Sequence, residues 1–352
     1  MKIQTTTLKK MLSQVARCKP NGVLEITKYY ELMFNKQGLT LTATDGVNQI
    51  SVMSKDGQQD NEEVVIVKAE QFAKLISKTT KESIELKVKG ESLQVKGNGS
   101  YNIEIFTEEE YPKYEMDSDI VFKVSTTELL DALNVGKYTK ALSTSEGILY
   151  YYAIVDSNML STDSVKVSCT QLKGFKEDIL ISPAVALLLE SIVEDKVEVH
   201  LNAEKTSAMF VTPSLKIYGA IPEGIDEYPD VLSLFDEEHR QMAQLDIQGT
   251  LAAVERLRLF LTNYDKDFLD VTMTNEMIVL STGKNFENLE YKNNIAEEFE
   301  YDLAINSTYL YDIVRAMKGE TYRLAYEDDT LILEANNDKF ILACADSEED
   351  ED

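Results

Sequence analysis

Hydrophobic and polar positions follow two different periods along this chain. Apolar residues at helical spacing, such as Phe72, Leu75 and Ile76, predict amphipathic helices. Segments such as SIELKVKG, SLQVKG and YNIEIF instead alternate with a period of two and end in glycine-containing turns, which predicts antiparallel hairpins. Thr or Ser residues stand ahead of the first and third helices and suit N-caps. Six helices are predicted, within residues 2–19, 68–82, 123–140, 182–196, 247–266 and 306–319.

The order of these elements repeats three times. Tyr111-Pro112 and Tyr228-Pro229 close similar stretches 117 residues apart, and a strand ending in a polar turn recurs as LTLTATDG, MLSTDSV and IVLSTG. Each repeat contains two helices among short strands, and the simplest way to bury that pattern is two helices packed on one face of an antiparallel sheet. We therefore predict an α+β protein with domains at 1–117, 118–236 and 237–345, followed by an acidic segment at 346–352.

Composition fits a soluble protein that works in the cytoplasm. The 352 residues are 43% hydrophobic and 28% charged, no apolar run approaches a membrane span, and the opening MKIQTTTLKK is too polar for a signal peptide. We expect no membrane partner. Cys18, Cys169 and Cys344 lack paired or metal-ligand spacing, so they are predicted to be reduced thiols.

Charge is segregated along the chain. The formal net charge of -27 opposes nucleic-acid binding at first sight, yet the six helix windows hold 18 basic and 10 acidic residues. If the helices share one face, that face is positive and can contact DNA phosphates without reading bases. The alternative is that these lysines only keep the helices solvated, and the window 182–196 is an acidic exception with a net charge of -2.

The sequence offers little on which to build catalysis or cofactor binding. The two histidines, His200 and His239, stand far from any nucleophile pattern, and the sequence contains no GxxxxGK[ST], no GxGxxG after a strand and no HExxH. We predict no catalytic residue, no metal and no cofactor. A hydrolase built on an unmarked pair of carboxylates stays open as an alternative.

The turns and loops, taken in order, resemble one known family. TATDG, EEYP, the STD turn, PAVALLLESI and GIDEYPD follow one another as in the bacterial beta sliding clamp, the beta subunit of DNA polymerase III, over essentially the whole chain. The resemblance implies three domains of the DNA clamp fold per chain and a homodimeric ring with sheets outside and helices lining a hole around double-stranded DNA. It also implies a processivity factor without catalysis, whose partners are a DNA polymerase, a clamp loader and other proteins with clamp-binding motifs. A clamp-like adaptor that binds peptides but not DNA is the alternative.

The resemblance also implies three sets of site residues. Its pocket for a short hydrophobic peptide, between the second and third domains, falls on Tyr150, Thr162, Ser164, Val165, Val167, Pro229, Leu234, Ile341 and Ala343. Its DNA-facing positions, together with the charge pattern, give Lys9, Lys10, Arg17, Lys19, Lys74, Lys78, Lys137, Lys140, Arg256, Arg258, Arg315 and Lys318, with the loop 148–152 nearby. Its ring closure implies that Tyr101 and Ile103 of one chain meet Phe260 and Leu261 of the other.

Three departures from the family affect the pocket. Ser164 stands where a Gly is usual, Val165 where a His is usual and Ala343 where a Met is usual, so the preferred peptide is expected to differ. The chain also continues past the pocket strand into DSEEDED. This acidic tail is expected to be mobile, to aid solubility and, as a second hypothesis, to repel acidic partners from the pocket.

Overall fold

The computed structural model describes residues 1–235, 243–262, 267–293 and 298–346. Each of the six predicted helices is present. They are α1 (Thr5–Val15), α2 (Ala69–Ser77), α3 (Thr126–Gly136), α4 (Pro183–Leu189), α5 (Ile247–Arg258) and α6 (Ser307–Ala316). Among the described residues, no helix is long and apolar enough to cross a membrane. His239, the boundary near 236 and the tail beyond Asp346 lie outside the described residues.

Short strands make up most of the remaining regular structure. In chain order they are β1 (Lys2–Gln4), β2 (Tyr29–Asn35), β3 (Gly38–Thr44), β4 (Gln49–Ser54), β5 (Glu63–Lys68), β6 (Ser83–Lys89), β7 (Ser92–Lys96), β8 (Ser100–Glu104), β9 (Ile120–Ser125), β10 (Tyr152–Val155), β11 (Asn158–Thr162), β12 (Lys166–Gln171), β13 (Ile179–Ile181), β14 (Lys196–Leu201), β15 (Ser207–Val211), β16 (Leu215–Ala220), β17 (Ala243–Asp246), β18 (Phe268–Thr274), β19 (Ile278–Thr282), β20 (Asn285–Leu289), β21 (Tyr291–Asn293), β22 (Glu300–Asn306), β23 (Thr321–Glu327), β24 (Thr330–Ala335), β25 (Asp338–Ala343) and β26 (Ala345–Asp346).

The chain forms two compact units. Unit 1 contains residues 1–127 and 181–223, and unit 2 contains residues 128–180 and 224–352. Unit 1 has a four-stranded sheet in the order β1-β6-β7-β8 and an eight-stranded sheet in the order β5-β2-β3-β4-β16-β15-β14-β9. Unit 2 has a five-stranded sheet, β20-β19-β18-β22-β26, and a nine-stranded sheet, β13-β10-β11-β12-β25-β24-β23-β17-β21.

Each large sheet joins strands from two sequence repeats. In unit 1, β4 pairs with β16 so that Ile50 lies opposite Ile217. In unit 2, β12 pairs with β25 so that Val167 lies opposite Ile341. The middle repeat therefore contributes strands to both compact units, because backbone pairing continues across the repeat boundary. The antiparallel α+β class is confirmed, whereas the domain boundaries near 118 and 236 stay a prediction.

Alternation and helical spacing build the two cores as the sequence predicts. Along β2, Tyr30, Leu32 and Phe34 are buried while the residues between them are partly exposed. On α2, Phe72 and Ile76 are completely buried, one turn apart on one face of the helix. Removal of these apolar side chains from water stabilises each unit.

Helix starts differ in how their free backbone N–H groups are bonded. The predicted cap ahead of α1 is absent, because Gln4 occupies the N-cap position and makes no side-chain capping bond. Thr5 instead donates its hydroxyl to the Lys81 carbonyl oxygen at 2.5 Å. By contrast, Ser182 caps α4, where its hydroxyl accepts from the Val185 N–H at 3.2 Å.

Candidate functional site

The turn between β11 and β12 has a defined, bonded geometry. Asp163 accepts hydrogen bonds through Oδ1 from the N–H groups of Val165 at 3.0 Å and Lys166 at 2.8 Å. The Ser164 N–H donates to the Thr162 hydroxyl at 3.0 Å, and Ser164 adopts a positive φ of 76°. That left-handed conformation favours glycine, the residue that the resemblance implies at this position. Neighbouring bonds hold the serine in it, and the Val165 side chain is left 43% exposed.

Beneath this turn lies an apolar floor. Val167 and Ile341 face each other across β12 and β25, and the Ala343 N–H donates to the Val165 carbonyl oxygen at 3.0 Å. Both side chains are buried in a cluster that also contains Tyr228. Thr162 is buried at the end of β11. These expected pocket positions therefore form the interior support of the site.

A short 3-10 helix, Ser233–Phe235, presents a large exposed apolar side chain at the site. Phe235 points into the buried cluster, while Leu234 is 47% exposed. Pro229, six residues ahead of Phe235 and outside the helix, is also exposed, next to the buried Tyr228. The result is an exposed apolar rim over a packed floor, and Val165 and Ala343 continue that rim.

Tyr150 lies on the loop that flanks the cluster and is half-buried. Its neighbours Ile148 and Tyr151 pack against the cluster. The Lys140 ammonium lies 4.7 Å from the centre of the Tyr150 ring and donates to the Ala141 carbonyl oxygen at 2.9 Å. Burial lowers the pKa of Lys140.

This placement corrects the expectation for Lys140 as an outward, DNA-facing charge. The residue is only 8% exposed, so its ammonium orders the tyrosine loop from inside. All nine expected pocket residues lie in unit 2. Lys140 is a residue that sequence reasoning placed in the wrong surroundings, because a lysine at the end of an amphipathic helix gives no sign of burial.

Unit 1 contains the same turn with a different cover. Asp45 accepts from the N–H groups of Val47 and Asn48, as Asp163 does in unit 2. At the strand position that corresponds to Ile341 stands Tyr218, and the ring of Tyr114 packs on it with 4.8 Å between ring centres. The chain itself thus covers this strand position in both units, with the Tyr114 ring in unit 1 and with the cluster of Val231 and Phe235 in unit 2.

The basic residues of unit 1 lie close to helix junctions. Lys9 on α1 donates through Nζ to the Thr79 carbonyl oxygen, just past α2, at 2.9 Å. Arg17, just past α1, forms an ion pair with Glu190, which follows α4. Helix α1 is therefore linked to both other helices of its unit.

Unit 2 repeats this arrangement. Arg258 at the end of α5 donates to the Thr308 hydroxyl of α6 at 3.2 Å, and Lys318, just past α6, pairs with Asp131 of α3. Arg256 forms a bidentate pair with Glu287, at 2.6 and 2.8 Å. These carboxylates offset part of the positive charge expected for DNA contact.

Five of the expected DNA-facing residues are exposed and make neither an ion pair nor a side-chain hydrogen bond within the described parts of the chain, whereas the exposed Arg258 donates to Thr308. The five are Lys10, Lys19, Lys78, Lys137 and Arg315. Lys74 is exposed as well, but it pairs with Glu70 on its own helix at 2.5 Å. Exposed pairs of this kind are weak and exchange readily with other anions.

The residues expected at a chain-to-chain seam differ in exposure. Tyr101 is 46% exposed on β8, an edge strand, and Phe260 is 54% exposed just after α5. Leu261 is partly buried. Ile103 is 1% exposed because its side chain faces the core of its own unit. At this position, only the strand backbone could contact a second chain. Leu259, which the resemblance did not indicate, is 80% exposed beside Phe260.

The described residues contain no group of three or more His, Cys, Asp or Glu placed to hold a metal ion. Burial raises the pKa of the Cys18 and Cys344 thiols to about 12, which makes them poor nucleophiles. His200 contacts Glu198 at 2.8 Å and Ser118 at 3.2 Å on the surface of unit 1.

Comparison with known proteins agrees with this geometry. Residues 1–115 match the family model of the DNA polymerase III beta subunit, N-terminal domain. The structure matches the beta subunit from DNA polymerase of Streptococcus pyogenes with a TM-score of 0.85 and 19% identity, covering 98% of this chain and 99% of that one. It matches the DNA polymerase sliding clamp from Bacillus subtilis with a TM-score of 0.85 and 15% identity, covering 98% of both chains.

A third match, at 14% identity and a TM-score of 0.84, is DNA polymerase III beta subunit from Thermotoga maritima, with 98% of this chain and 99% of that one covered. A comparison with curated protein sequences finds no match. The resemblance read from the sequence is confirmed: the whole chain has the fold of the bacterial clamps, and its first 115 residues match their N-terminal domain at low overall identity.

Proposed function

We propose that this chain, which has the fold of the bacterial DNA polymerase III beta subunit, is a DNA sliding clamp that confers processivity on a replicative polymerase. The observation that carries the proposal is the agreement in fold over 98% of the chain with proteins of that kind. The match of residues 1–115 to the family model supports it independently of the fold. The protein would act in the cytoplasm as a platform without catalytic activity of its own.

The proposal includes three domains, 1–117, 118–236 and 237–345, and a head-to-tail homodimer. Two copies of such an arc close a ring of six domains and leave no sheet edge unpaired at the seams. The exposed edge strand β8 with Tyr101 would meet the region of Phe260 and Leu261 in the partner.

Duplex DNA would pass through the ring and be held topologically. The exposed Lys10, Lys19, Lys78, Lys137 and Arg315 would contact phosphates without base readout, and such contacts weaken as salt rises. A chain of net charge -27 cannot depend on these contacts for long residence on DNA. Retention would follow from closure of the ring.

The apolar rim over the Val167–Ile341 floor would receive short hydrophobic peptides of the polymerase, the clamp loader and other partners with clamp-binding motifs. Exposed apolar side chains around a packed base are typical of peptide-docking sites, where a few anchors provide most of the affinity. The rim residues Val165, Pro229, Leu234 and Ala343 suit a Leu or Phe side chain in an extended or helical peptide.

The decisive experiment loads the protein onto nicked circular DNA with the clamp loader of the same genome and ATP. After a high-salt wash, the protein should remain on the circle and should be lost once the circle is cut to give free ends. A matched circle left uncut is the control for spontaneous loss.

A clamp-like adaptor that binds peptides without encircling DNA is the second candidate. It is favoured by the ion pairs that offset Arg17, Arg256 and Lys318. Binding that is washed away by salt from circles and linear DNA alike would select the adaptor and contradict encirclement.

A further inference from the structure

Carboxylates stand on one side of the pocket within the Pro229–Leu234 loop. Asp230 is exposed, directly follows Pro229, and accepts the Ser233 N–H through Oδ1 at 3.3 Å. The bond places this carboxylate at the start of the short helix that presents Leu234. Asp226 and Glu227 are exposed on the preceding 3-10 helix, Ile225–Glu227.

A second group of carboxylates stands beside the opposite end of the rim. Asp328 and Asp329 form the turn between β23 and β24, with positive φ angles of 44° and 58°. The Asp329 carbonyl oxygen accepts the Cys344 N–H at 2.8 Å, and Thr330 lies opposite Ala343 in the sheet. Both aspartates are exposed, so their charges flank the exposed Ala343.

Basic residues close to the pocket are already bonded elsewhere. Lys166 is 8% exposed, pairs with Asp163 at 2.9 Å and lies 3.8 Å from the centre of the Tyr309 ring. Lys140 is buried against Tyr150. Within the described parts of the chain, Asp226, Asp230 and Asp328 have no ion pair. The exposed apolar rim is therefore bordered by negative charge that neither Lys140 nor Lys166 offsets.

We propose that this pocket selects hydrophobic peptides whose anchors are flanked by lysine or arginine, and that it discriminates against acidic flanks. The inference rests on the proposed docking function and names the chemistry of the partner. Rim charges act mainly on partner choice, association rate and salt dependence, since they stay in water while the anchors are buried. The apolar floor provides affinity, and the two carboxylate groups provide the preference.

The test uses the full-length protein and two labelled peptides with the same Leu and Phe anchors, one flanked by two lysines and the other by two aspartates. Fluorescence anisotropy at low salt should show the lysine-flanked peptide binding roughly three- to tenfold more tightly. Raising the salt concentration should narrow the difference, because screening weakens exposed charge pairs.

Variants separate local charge from net charge. The triple change Asp230→Asn, Asp328→Asn, Asp329→Asn should remove most of the preference and retain binding of both peptides. The matched control Glu62→Gln, Glu91→Gln, Glu109→Gln raises the net charge equally at exposed positions of unit 1 and should leave the preference intact.

The outcomes distinguish this inference from the proposed function. Equal binding of the two peptides at low salt overturns the charge preference but not the pocket. The same holds if the control triple variant loses as much preference as the aspartate triple variant. Failure of both peptides to bind the wild-type protein overturns the pocket itself, and with it the docking part of the proposed function.

Discussion

Leu234 occupies an unusual position for a large apolar side chain. The buried Phe235 anchors its short helix and Asp230 bonds the helix start, so Leu234 is held 47% exposed on a firm backbone. Because this side chain is already held in place in the free protein, it loses little conformational entropy when a partner covers it. This property makes Leu234 the residue that best reports on docking.

Leu234→Asp should abolish binding of a Leu- and Phe-containing peptide, because a carboxylate would have to lose its water in an apolar contact. Anisotropy titration measures the loss, expected to be at least about tenfold. Met277→Asp is the control, since Met277 is 45% exposed in the turn between β18 and β19, and this variant should bind the peptide normally. Unchanged peptide affinity in Leu234→Asp would mean that the pocket lies elsewhere.

Asp338 shows how burial sets a titration within unit 2. It is 7% exposed at the start of β25 and accepts the Thr170 hydroxyl at 2.9 Å. Burial has the largest effect and raises the pKa of this carboxyl. The hydrogen bond from Thr170 lowers that pKa, the charge of the nearby Asp131 raises it and the charge of Lys318 lowers it. The net direction is upward, so the folded protein holds the proton more firmly than the unfolded chain does.

Because the folded-state pKa of Asp338 is raised, its ionisation destabilises the fold as pH rises above the ordinary aspartate range. Asp338→Asn keeps an oxygen for Thr170 and removes the charge. Its melting temperature should exceed that of the wild type at pH 7, and the difference should shrink as pH falls towards 4. Differential scanning calorimetry across this range tests the sign, and a variant that is less stable at pH 7 would contradict it.

At the scale of elements, helices are joined by side chains that come from their ends. Arg17 reaches Glu190 beyond α4, and Lys318 reaches Asp131 on α3. Both units thus use a basic residue just past a helix to hold another helix of the same unit. These pairs are exposed, so each contributes at most about 1 kcal/mol to stability.

The segment after α5 is the element on which chain assembly is expected to depend. Replacing Phe260 and Leu261 together by glutamate should convert the proposed dimer to a monomer, because uncompensated charge buried in a seam costs several kcal/mol. Analytical ultracentrifugation at micromolar concentration measures the change. The control is Val193→Glu, because Val193 is 58% exposed and Phe260 is 54% exposed. This variant should remain dimeric. A wild-type chain that sediments as a monomer would count against the ring.

At the scale of the whole molecule, charge separates into different regions. The chain carries 62 acidic and 35 basic residues, yet exposed lysines remain on α1, α2 and α3 or just beyond them. Several other basic residues are offset by a local carboxylate. If the chain encircles DNA as proposed, it should slide readily, because no strong phosphate contact has to be broken at each step.

The sequence by itself determined the six helices, the threefold order of elements and the apolar faces. Helical and alternating periods record which side of each element is buried, and that information is local. The turns at Thr44 and Thr162 could also be predicted, since their Asp side chains bond to N–H groups two and three residues ahead. The family resemblance followed from the order of such turns.

Only the tertiary structure decided how the repeats merge and which side chains stay exposed. Pairing of β4 with β16 and of β12 with β25 joins residues more than 150 positions apart, and no local period encodes that choice. Lys140 and Ile103 are buried, and Asp328 and Asp329 flank the pocket, for the same reason. Burial and charge at one position depend on neighbours brought there by long-range packing, and a single sequence does not list those neighbours.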